Sequence, residues 1–83
     1  MPVVLRMDGF VFRVNTYDHP PPHVHVRVAG TWARIAVGPL RAEPYLMPGC
    51  TMRDKDVAGA LEIARTCQAH LLSEWRNYHG GDH

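Results

Sequence analysis

Apolar and polar positions alternate with a period of two across much of residues 3–37, then switch to a helical period from about residue 53. Val3–Met7 predicts a short first strand, closed by Asp8-Gly9, a pair that favours a two-residue hairpin turn. A second strand is expected over 10–16, with Phe10, Phe12 and Val14 on one face and Val11, Arg13 and Asn15 on the other. In a third, over 23–29, Val24, Val26 and Val28 alternate with His23, His25 and Arg27. Gly30-Thr31 is the expected turn into a fourth strand over 32–37, where Ala33, Ile35 and Val37 alternate with Trp32, Arg34 and Ala36.

Gly38-Pro39, Pro44 and Pro48-Gly49 punctuate residues 38–52 and predict a loop. Val57, Ala60, Leu61, Ala64, Cys67, Gln68, Leu71, Leu72, Trp75 and Tyr78 then recur at helical spacing, which predicts one helix over 53–79. Thr51 with Asp54 resembles a capping box with Asp in place of Glu, and Gly80-Gly81 supplies the stop. Gly59 inside this helix costs about 1 kcal/mol relative to alanine. The pattern predicts a single α+β domain over 1–83, an antiparallel meander of about four strands with one long C-terminal helix on one face. A single helix covers a single face. The other face is expected to stay open and to carry Arg13, His23, His25, Arg27, Trp32 and Arg34.

A chain of 83 residues buries a modest share of its surface, so a partner or a bound group would add stability. Cys50 falls in the loop and Cys67 in the helical pattern, and no secretory leader favours a disulfide between them. No apolar run is long enough for a bilayer, and a reducing, cytoplasmic setting is expected. The net charge of +1 says little, but its distribution says more. Residues 1–41 hold Arg6, Arg13, Arg27, Arg34 and Arg41 against Asp8 and Asp18. Arginine suits planar, bidentate contacts to anions better than lysine does.

The segment His19-Pro20-Pro21-Pro22-His23-Val24-His25-Val26 concentrates the chemistry. The prolines are expected to take an extended path. His23 and His25, two apart on a strand, share a face and make a candidate acid–base pair for metal-independent RNA cleavage. In that scheme Arg13, Arg27 and Arg34 bind phosphate, while Tyr17 and Trp32 offer π-faces to a base. This reading calls for no cofactor. An alternative places a divalent transition metal such as zinc on His23 and His25, with His19 or Asp18 as a third ligand. A third reading makes the open face a protein-binding surface, with Trp32 and the arginines as anchors for a cognate small protein or a second copy. His70 is expected to be solvated, and His79 and His83 to lie in an uninformative tail.

Asp8-Gly9-Phe10, the Pro-Pro-His-Val-His-Val element ending at Val26, and the tail with Leu71-Leu72 and Trp75 resemble a family of small prokaryotic proteins catalogued as domain of unknown function 4160. The resemblance implies a small cytoplasmic protein encoded beside a second one, in a layout similar to toxin–antitoxin pairs. It assigns no settled activity. The prolines of Gly38–Met52 depart from the plainer connection expected of that family.

Overall fold

Two turns with left-handed backbone set the register of the sheet. Asp8 and Gly9 take φ of 53° and 83°, and Ala29 and Gly30 take 49° and 78°. Both pairs match the primed hairpin turns, whose twist suits antiparallel strands. The computed structural model describes residues 1–79. It pairs β1 (Val3–Met7), β2 (Phe10–Arg13), β3 (His23–Val28), β4 (Thr31–Ala36) and β5 (Tyr45–Leu46) in sequence order in one antiparallel sheet. The expected Gly30-Thr31 turn thus lies one residue earlier, at Ala29-Gly30, and β4 begins at Thr31.

The second strand stops at Arg13 rather than residue 16, because Asn15 turns the chain. Its side-chain oxygen accepts from Tyr17 N at 2.9 Å, and its carbonyl accepts from Asp18 N at 3.2 Å. The loop expected over 38–52 contains β5, whose Tyr45 and Leu46 pair with Ala36 and Ile35. Thr51 does not cap the helix: its hydroxyl accepts from Trp32 N at 3.0 Å, and Arg53 holds the N-cap position without a side-chain bond.

The one long helix is two, α1 (Asp54–Thr66) and α2 (Gln68–His79). Cys67 takes φ −105° and ψ 19°, outside the helical range. Hydrogen bonds still run from Cys67 N to Ile63 O and from Leu71 N to Cys67 O, so the change is one of direction. Redirection lets the two helices divide a twisted sheet: α1 packs on β4 and β5, α2 on β3 and β1. Gln68, the first residue of α2, donates to Val37 O at 2.8 Å and Ala42 O at 2.9 Å, tying the junction to the loop after β4. Cys50 and Cys67 are free thiols. The Gly80-Gly81 stop and His83 lie outside the described residues.

Alternation in β3 holds on the core side. Val24 and Val26 are fully buried with Phe12, Ala33, Ile35, Ala60, Ala64 and Leu71, and Leu61 packs at the margin. Gly59 has a packing reason, because a Cβ there would come within 3.2 Å of the Phe10 ring. No helix among the described residues is long and apolar enough to cross a membrane.

Candidate metal centre and adjoining cationic groove

Three donor atoms converge where the proline segment enters β3. Asp18 Oδ2 lies 2.9 Å from His23 Nε2 and 2.6 Å from His25 Nε2, and the three groups lie within 4.8 Å of one another. Local structure explains the convergence. The Asn15 turn positions Asp18, and the chain bends at Pro20 and Pro21 instead of running extended as expected. Pro22 then packs on Gly38, where an added Cβ would stand 2.8 Å from Pro22 Cγ. Val37 N donates to Pro22 O at 2.9 Å, which fastens the segment to the end of β4.

His23 does not stand on an open face. It is 4% exposed, its ring centroid is 5.3 Å from that of Trp75 in α2, and the His25 centroid lies 5.4 Å away. Alternation puts both histidines on one side of β3, but the last turns of α2 reach the end where His23 sits. His79 stacks on Trp75 at 3.5 Å, so this residue belongs to the support of the site rather than to a tail. His70 likewise is engaged: its Nε2 bonds Val4 O at 2.8 Å and joins α2 to β1.

Hydrogen bonding restricts the protons on His23. Nδ1 lies 2.8 Å from Pro21 O. A carbonyl only accepts, so Nδ1 donates. In the neutral ring Nε2 then carries a lone pair, aimed at a carboxylate oxygen that carries lone pairs of its own. That contact is attractive only when a proton on Nε2 or a cation lies between the two. His25 meets no such conflict, since its Nε2 can carry the single proton of a neutral ring and donate it to Asp18. Burial raises the Asp18 pKa, but the bond from His25, the charges of His23 and His25 and the bond from His23 outweigh it. The carboxyl is held below its ordinary value.

A cavity of about 120 Å³ adjoins the cluster, lined by Met1, Arg13, His25, Val26, Arg27 and Trp32. Sheet register builds it: Arg13 faces His25 across β2 and β3, and Arg27 faces Trp32 across β3 and β4. Arg34 also faces His25 but turns away, donating from Nη2 to Pro48 O at 2.7 Å, and it does not line the cavity. Tyr17 is 89% exposed and lines it no more than Arg34 does. His19 stands outside the donor cluster, and Asp18 occupies the third position. Asp18 is the residue the sequence underweights. Its signal is the turn-forming Asn15 three residues before it.

The fold and this site define a small α+β protein that carries one carboxylate and two imidazoles at the mouth of a cationic groove. The chain belongs to the family described as Domain of unknown function (DUF4160), whose profile matches residues 9–76. No curated protein and no solved structure matches it.

Proposed function

We propose that Asp18, His23 and His25 form a divalent transition-metal centre, with zinc as the simplest occupant. The observation that carries the proposal is the pinned tautomer of His23, whose Nε2 lone pair faces Asp18 Oδ2 with Nδ1 already committed to Pro21 O. A metal-bound imidazole ordinarily donates its second nitrogen to a carbonyl or carboxylate in this way. A tetrahedral ion with bonds of about 2.0–2.1 Å holds neighbouring donors about 3.3 Å apart, so the Asp18 contacts of 2.9 Å to His23 and 2.6 Å to His25 need to open by about 0.4 Å and about 0.7 Å. Three protein donors leave a further position for water or a substrate oxygen, the arrangement that supports metal-assisted hydrolysis.

Untagged protein prepared without a metal column tests this. About one equivalent of zinc or cobalt is expected by elemental analysis, with a tetrahedral cobalt spectrum that Asp18→Asn and His25→Ala abolish. Substoichiometric metal in refilled wild type, or unchanged binding in both variants, would refute the centre.

A second reading keeps the metal-independent ribonuclease, one half of a toxin–antitoxin-like pair, and draws on the Asp18–His25 contact. A partly buried imidazole oriented by a carboxylate and flanked by Arg13 has the parts of a general acid or base. His23 contributes orientation rather than proton transfer in this reading, because both of its nitrogens are engaged. RNA cleavage that survives a chelator and disappears in His25→Ala would favour it over the metal centre.

A further inference from the structure

We infer that the groove formed by Arg13, Arg27 and Trp32 is a binding site for a nucleoside monophosphate, with the phosphate between the arginines and the base on the indole. The inference stands on the groove's own residues and not on the metal reading. Arg13 and Arg27 form no ion pair with a carboxylate among the described residues, and Arg13 Nε is buried without a hydrogen-bond partner. Both residues line the cavity, so two guanidinium groups without a carboxylate partner border one space, where an anionic acceptor would satisfy donors that proteins seldom leave unpaired. A guanidinium presents its donors as a rigid fork that matches phosphate oxygens.

Size narrows the ligand. A cavity of about 120 Å³ falls well short of the roughly 300–1,000 Å³ of sites that engulf a whole small molecule. It takes a compact oxyanion and leaves the rest of the ligand outside. What lies at its rim is Trp32, 37% exposed and directly across from Arg27. An indole held in a strand offers a flat face to a base without preference for its identity. His25, two residues before Arg27 on β3, also lines the cavity and brings the phosphate beside the Asp18 cluster.

Titration calorimetry with inorganic phosphate, ribose 5-phosphate, adenosine monophosphate and a 5′-phosphorylated RNA hexamer tests the site in chelator-treated protein. Saturable binding of the nucleotide, free or at the strand end, is expected. Arg13→Gln and Arg27→Gln should each weaken it about tenfold or more, the scale of losing one charge-assisted contact. Trp32→Ala should weaken the nucleotide and leave phosphate and ribose 5-phosphate unchanged. Arg41→Gln, in the exposed loop, removes the same charge away from the groove and should change nothing. Equal binding by wild type and the Arg13→Gln/Arg27→Gln double variant would overturn the inference. So would the absence of saturable binding at millimolar ligand, or binding confined to metal-loaded protein. Circular dichroism of the double variant confirms that it is folded.

Discussion

Strand β3 treats the two ends of its outward side differently. At its start His23 is enclosed, with each nitrogen engaged and Trp75 beside its ring. At its far end Arg27 is exposed, and no ion pair among the described residues holds it. His25 lies between them and belongs to both, touching Asp18 on one side and lining the groove on the other. The same alternation generates both ends, so the strand's period does not decide what each can do. The surroundings decide. Converging donors around one enclosed imidazole suit a small cation in fixed geometry, whereas a half-buried Arg13 and an exposed Arg27 beside an indole suit a ligand from solvent.

Metal affinity should separate the two ends most sharply. Asp18→Asn or His23→Ala is expected to weaken zinc binding by more than about 100-fold, beyond what loss of an outer hydrogen-bond partner costs. Arg27→Gln should leave it within about twofold, as competition with a chromophoric chelator would show. Similar losses in all three would mean that the strand carries one continuous site. Gly38→Ala comes next. The new methyl would meet Pro22 at 2.8 Å and Leu72 at 3.2 Å, and overpacking of this kind costs about 1–3 kcal/mol. Urea unfolding should show that loss, and zinc affinity should drop with it because Pro22 leads directly into His23. Unaltered stability would show that the proline segment yields freely and does not position the site.

These expectations rest on parts of the molecule that the sequence reveals unequally. The core face was legible, since Val24, Val26, Phe12 and Ile35 obey a two-residue period and all are buried. The first hairpin was legible from Asp8-Gly9. The helix break at Cys67 was not, because the apolar spacing runs through it and the cause is the twist of a sheet that two helices must share. Nor was the burial of His23, which depends on α2 carrying Trp75 some fifty residues along the chain. The prolines announced a special connection, but only the bend over Pro20 and Pro21 shows that it brings Asp18 back onto the two imidazoles. Local pattern gave the faces, and long-range packing gave the site.

The loop that backs Pro22 is held from the helix junction, which supplies a smaller test of the same contrast. Gln68→Ala removes the donors to Val37 O and Ala42 O. Net loss of hydrogen bonds on this scale costs about 1 kcal/mol each, and part of it returns through water at the exposed carbonyl. A drop of about 1–2 kcal/mol in urea unfolding is therefore expected, with nucleotide binding at the groove unaffected. Loss of nucleotide binding would show that the groove depends on the loop it does not touch.

Acid titration gives the smallest effect and the most direct reading of Asp18. Its folded pKa lies below the ordinary value, burial being outweighed by the bond from His25 and the neighbouring imidazole charges. Above about pH 5, a unit over the usual aspartate pKa, the carboxyl is ionised in both folded and unfolded chains, and its own titration no longer changes the stability. As the pH falls further, the unfolded chain takes up the proton first. The contribution then declines until the pH has passed through the depressed folded value. In chelator-treated protein the urea midpoint of wild type should therefore fall more steeply below about pH 4 than that of Asp18→Asn. Arg27→Gln should keep the wild-type slope, since Arg27 has no carboxylate contact among the described residues. Parallel slopes for wild type and Asp18→Asn would mean that the carboxylate gains nothing from the two imidazoles in the folded chain, and the donor cluster would then lack the electrostatic coupling on which a cation site depends.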